Sequence, residues 1–157
     1  MIQSSLQQTA FDPKEIKLIE FGLIVFIGIV LCLKFRLLFQ VSINQDEFGY
    51  LSKIYSYCRG TLTNQFQTFH VHFFKWISHF SKNEVTQIII ARSVMFPFFL
   101  GTCLLTYLIA RKFIDRSGAL FAVICFLSFS FVIVNGSSFR SDTASAFLSL
   151  FSIYCII

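Results

Sequence analysis

Asn44-Gln45-Asp46-Glu47-Phe48-Gly49-Tyr50-Leu51 sets two adjacent carboxylates at the head of a polar interlude, a few residues beyond the first long apolar run. Asn44 followed three residues later by Glu47 has the form of a capping box, in which each side chain bonds the other residue's backbone N–H. Arg59 falls in what would be the last turn, and Gly60 suits the left-handed residue beyond it. The spacing therefore predicts a helix over about Gln45 to Arg59. Consecutive helical residues point about 100° apart, so Asp46 and Glu47 face different surroundings.

The interlude continues to Asn83. Asn64 followed by Gln67 predicts the opening of a second helix, with Phe66, Phe69, Phe73, Ile77 and Phe80 on one stripe and His72, Lys75 and His79 on another. An aromatic, weakly basic amphipathic helix of this kind fits the plane of a membrane interface. Trp76, Tyr50, Tyr55 and Tyr57 read first as interface aromatics, with sugar stacking as the alternative use.

On either side the chain is built for hydrocarbon. Of 157 residues 55% are hydrophobic, 22 are Phe and 13% are charged, about half the charged share of a soluble domain. The expected fold is an all-α membrane protein with about four transmembrane helices, the last incomplete. The expected segments are a cytoplasmic lead (1–15), a first span (16–39), an outer loop with two interfacial helices (40–83), a second span (84–110), a cytoplasmic turn (111–116), a third span (117–134), a second outer loop (135–142) and the start of a fourth span (143–157). Pro13 opens the first helix and Asn83 can cap the second span, inside which Pro97 falls. As a helix, 16–39 is long enough to cross a ~30 Å hydrocarbon core, whereas 143–157 reaches only ~22 Å. The expectation is thus the front end of a longer polytopic protein or one half of a split one. No small-residue cleavage site follows the first apolar run, which favours a retained anchor over a signal peptide.

Sidedness comes from the cations. The six-residue turn Arg111-Lys112-Phe113-Ile114-Asp115-Arg116 is short and dense in positive charge, which places it in the cytoplasm with Lys14 and Lys17. The opposing cations outnumber these, but most are spread along the outer loop, where the rule weakens. A formal charge of +5 is too thin and scattered for nucleic acid and suits anionic lipid or phosphate. Four of the five cysteines, Cys32, Cys103, Cys125 and Cys155, fall in apolar runs, so no disulfide framework or metal spacing emerges. His72 and His79 are seven apart and His70 faces elsewhere, which is not the i, i+4 pair of a helical zinc site.

The order of these pieces resembles the N-terminal third of the GT-C glycosyltransferases, nearest the protein O-mannosyltransferase and aminoarabinose-transferase group. The matching stretches are Asp46-Glu47-Phe48-Gly49-Tyr50-Leu51, His72-Phe73-Phe74-Lys75-Trp76-Ile77, Ala91-Arg92 and Phe139-Arg140-Ser141-Asp142. His72 stands where the group commonly has proline. The resemblance implies transfer of a sugar from a polyprenyl-phosphate carrier to an acceptor glycan, lipid or protein on the non-cytoplasmic face, in the inner membrane if the source is bacterial. It implies Asp46 as the catalytic base, with Glu47, Tyr50, Arg92, Arg140, Asp142 and His72 binding substrate. No cofactor beyond the lipid-linked donor is implied, and dependence on a divalent metal is left open. Phosphate is already a good leaving group, so such a reaction needs one base and nearby cations rather than a glycosidase's acid and base pair.

Each residue has a plainer alternative. Asp46 and Glu47 can simply favour a helix start, or Glu47 can pair with an arginine; Arg92 can snorkel to the interface. Arg140 and Asp142 can form a local ion pair with Asp142 capping the fourth helix. Lys34 and Arg36 either attract an anionic head group or mark a helix end. The competing function is a non-catalytic membrane subunit that scaffolds a lipid-handling complex.

Overall fold

The structure, a computed structural model, describes residues 13–40, 42–63 and 68–157. The opening of the second loop helix at Asn64 to Gln67 lies outside the described residues. In chain order the helices are α1 (Pro13–Gln40), α2 (Gln45–Cys58), α3 (Thr68–Phe74) running into a 3₁₀ segment (Lys75–His79), α4 (Glu84–Ala110), α5 (Arg116–Ser128), α6 (Ser130–Asn135) and α7 (Ser141–Ile156). Among the described residues there is no strand.

Among the described residues two helices, α1 with 28 residues and α4 with 27, are long and apolar enough to cross a membrane. Their surroundings differ. α4 is the centre of the bundle, packed on α7, α5 and α1, and buries Ile88, Ala91, Arg92, Met95, Phe96, Phe99 and Cys103 along one helical stripe. α1 buries only Lys34 and Leu38 and turns large apolar side chains such as Leu18, Phe21 and Ile29 outward.

The long helices alternate in direction. The end of α1 meets the start of α4, where Arg92 donates to the Leu38 carbonyl, and the turn after α4 comes back to Glu20 of α1 through Arg116. At that same far end Lys112 sits 5.7 Å from the Tyr154 ring of α7. α4 and α7 approach closely at Gly101, where a Cβ would lie 2.5 Å from Phe147 Cε2. Any larger residue there must push the Phe147 ring aside.

The caps read from the sequence form. The Asn44 side chain accepts from the Asp46 N–H at 3.2 Å and Glu47 accepts from the Asn44 N–H at 3.0 Å. Gly60 has a φ of 71° just beyond the α2 C-cap Arg59, and Asn83 accepts from the Val85 N–H at 2.9 Å.

Three local expectations are corrected. The apolar stretch 117–134 is not one helix: Phe129 takes an extended conformation, φ −66° and ψ 126°, and separates α5 from α6. The last helix starts at Ser141 with Arg140 as its N-cap residue, so Asp142 lies in its first turn and does not cap it. The buried face of the second loop helix is His70, Val71, Phe74 and Ile77, while Phe73 and Phe80 are exposed. Val71 and Phe74 share a face within α3, and the 3₁₀ segment that follows, with three residues per turn, carries Ile77 onto that same face. That face closes the core beneath the loop helices, with Leu51, Ile54, Ile88, Met95 and Phe139.

Candidate functional site

The first turn of α2 sends its two carboxylates opposite ways. Glu47 is fully buried, whereas the Asp46 side chain is 55% exposed.

Glu47 meets Arg92 in a two-pronged ion pair. Nε donates to Oε1 at 2.8 Å and Nη2 to Oε2 at 2.5 Å. Oε1 also accepts from the Phe139 backbone N–H at 2.8 Å, and the capping bond from Asn44 reaches Oε2. Arg92 donates further to the carbonyls of Leu38 at 3.1 Å and Ser42 at 3.2 Å. One buried pair thus ties together the end of α1, the start of α2, the third turn of α4 and the loop before α7. Burial alone would raise the Glu47 pKa. The Arg92 hydrogen bond, the N–H groups of Phe139 and Asn44, and the Arg92 charge outweigh it and hold the carboxyl below its ordinary value. Glu47 and Arg92 were expected to bind substrate. Both side chains are buried and bonded to one another, which anchors the first turn of α2 to α4.

Asp46, on the other side of that turn, lies in an open groove of about 540 Å³ lined by Gln45, Asp46, Gly49, Tyr50, Lys53 and Arg140. Arg140 Nη1 donates to Asp46 Oδ2 at 2.7 Å, and Arg140 Nε donates to Asp142 Oδ2 at 3.0 Å. Arg140 therefore bridges two carboxylates that belong to helices α2 and α7. Tyr50, one turn beyond Asp46, holds its hydroxyl 3.2 Å from Ser141 Oγ, and the Lys53 ammonium lies 5.2 Å from the Tyr50 ring centre. Asp46, Tyr50, Arg140 and Asp142 are brought together. Among the described residues no three His, Cys, Asp or Glu side chains gather as a metal site.

His72 is not brought there. Its Nδ1 lies 3.1 Å from the Tyr57 hydroxyl, and Tyr57 is about three turns of α2, or ~16 Å, from Asp46. The histidine nearest the groove is His70, 2% exposed, its ring against those of Tyr50, Phe74 and Phe139. Its Nε2 is buried without a hydrogen-bond partner. The i, i+4, i+7 spacing of His70, Phe74 and Ile77 was the signal that could have found it.

Burial, with the Lys53 charge as the lesser cause, pushes His70 down to about 4 from an ordinary 6.5. Between these values the unfolded chain binds a proton that the folded chain does not, so stability is lost as pH falls. Lowering the pH from 7 to 5 is expected to cost about 2 kcal/mol through this group. Thermal unfolding of wild type against His70→Phe at the two pH values checks it: the variant should show the smaller loss.

Comparison with protein-family models, with curated proteins and with solved structures gives no match.

Proposed function

We propose that the chain is a multi-pass membrane glycosyltransferase, or a subunit of one, whose groove at Asp46 faces the non-cytoplasmic side. It moves a sugar from a polyprenyl-phosphate carrier to an acceptor hydroxyl or amine. The observation that carries the reading is the meeting of Asp46 and Arg140, 94 residues apart, in an open groove on the helix turn that the buried Glu47–Arg92 pair anchors.

In this reading α1, α4, the α5–α6 pair and α7 are four spans of alternating direction, and lipid covers the outward apolar side chains of α1. A hydrocarbon surrounding removes the cost of ~25 cal/mol per Å² that water would impose on them. The cytoplasmic end carries Arg111, Lys112 and Arg116. In a bacterium the membrane would be the inner one.

The step balances with one base. The acceptor's lone pair forms a bond to the anomeric carbon while the bond from that carbon to the phosphate oxygen breaks. The electron pair leaves with the lipid phosphate, and the acceptor proton passes to the Asp46 carboxylate. Arg140 holds that carboxylate in place and, with Lys53, makes the groove favourable for the departing phosphate. Tyr50 and Asp142 shape its walls. The testing experiment follows a labelled sugar from a polyprenyl-phosphate donor in membranes containing the chain and the proteins it assembles with; absence of any transfer dependent on the chain would reject the reading.

Replacing Arg140 with Ala is expected to lower that transfer by about 10²-fold, while thermal stability changes by less than about 1 kcal/mol because its partners are exposed. The second reading, a non-catalytic scaffold, draws on the same bridge: Asp46, Arg140 and Asp142 satisfy one another without a ligand. It predicts that transfer ignores substitutions at Arg140 and Asp46.

A further inference from the structure

A second cavity, of about 350 Å³, has Glu47 and Arg92 in its wall and shares no lining residue with the groove at Asp46. Lys34 of α1 reaches it from the apolar side. Lys34 is 6% exposed, and its ammonium donates to the carbonyls of Val132, at 3.0 Å, and of Ile133 at the end of α6. An ammonium has three N–H donors and a full charge, and two carbonyls supply only partial charge. Among the described residues Lys34 joins no ion pair, and the Glu47 charge is matched by Arg92. The wall therefore carries one buried positive charge in excess, an arrangement that an anion relieves.

The rest of the wall says what kind of anion. Asn44, Asn135 and Ser137 add side chains with N–H and O–H donors to the lining, whereas Leu37 and Val134 bring apolar surface that is 40% and 70% exposed. A phosphate offers more acceptor oxygens to such a donor set than a carboxylate does. The volume exceeds what a bare phosphate fills, and the apolar rim continues onto the outward face of α1.

We propose that this cavity is a binding site for the phosphate head group of a membrane amphiphile, its phosphate on Lys34 and its chain along Leu37 and Val134. The site stands on its own observations and does not require that the groove be catalytic.

The test titrates the full chain, in a neutral detergent, with dioctanoyl phosphatidate, dioctanoylglycerol and inorganic phosphate in separate arms. Phosphatidate should bind saturably and far more tightly than the other two. Lys34→Gln should weaken phosphatidate by about ten-fold or more. Asn135→Asp keeps the lysine and places a carboxylate on the wall, so it should raise the thermal midpoint while weakening phosphatidate to a similar degree. This second variant supports the site even where Lys34→Gln folds poorly. Equal binding of dioctanoylglycerol, equal binding of inorganic phosphate, or undiminished phosphatidate affinity in the folded variants would overturn the proposal.

Discussion

Replacing Asp46 with Asn is expected to lower the proposed sugar transfer by about 10²–10⁴-fold, the range for losing a positioned general base. The substitution keeps the size of the side chain and leaves a carbonyl oxygen that can still accept from Arg140 Nη1, now 2.7 Å from the carboxylate. What it removes is the carboxylate that takes the acceptor proton in the proposed step. Structural collapse is no rival explanation, because Asp46 is 55% exposed and exposed ion pairs contribute at most about 1 kcal/mol. The N-cap of α2 is Asn44, so capping survives. Loss of kcat with KM little changed, measured beside an unchanged thermal midpoint, is the expected pattern; wild-type turnover in the variant assigns Asp46 to helix-start stability alone.

Arg92→Leu should be the most destabilising single change at the site, by about 3–5 kcal/mol. It strips the buried Glu47 carboxylate of its bonds from Nε and Nη2 and takes donors from the Leu38 and Ser42 carbonyls. A lone carboxylate in that position is worse than none. Glu47→Leu combined with Arg92→Leu should therefore recover part of the stability lost by Arg92→Leu alone, as read by thermal unfolding in detergent. The pair also sets an acid limit. Because the folded Glu47 pKa lies below the ordinary 4.5, its contribution is complete above that pH and is lost as pH falls past it toward the folded value. Wild type should show this acid loss, and the double variant should not.

What was legible in the sequence was local. The Asn44 and Glu47 box, Gly60 and the Asn83 cap each depend on residues within a few positions of one another, and all three formed. The site was legible as a set of residue types, but its partnerships were not. Glu47 and Arg92 are 45 residues apart, and Lys34 finds its carbonyls 98 and 99 residues away. No short-range pattern encodes such distances. α4 is apolar on every side, so its buried stripe leaves no period in the hydropathy. The break at Phe129 lies between Ser128 and Ser130, with neither Pro nor Gly to mark it. His70 was passed over because two helical stripes share Ile77, and the all-apolar one through Phe73 and Phe80 was read as the inner face in place of the one through His70 and Phe74.

The orientation of the groove admits a direct test with a native side chain. Cys58 ends α2 and is exposed; Cys103 is buried, and Cys32, Cys125 and Cys155 lie on the apolar helices α1, α5 and α7, where lipid would cover them. A charged, membrane-impermeant maleimide added to intact cells should modify Cys58 without permeabilisation, and Cys58→Ser should abolish the label. Modification of Cys58 only after the membrane is opened would put Asp46 on the cytoplasmic side and contradict transfer at the outer face.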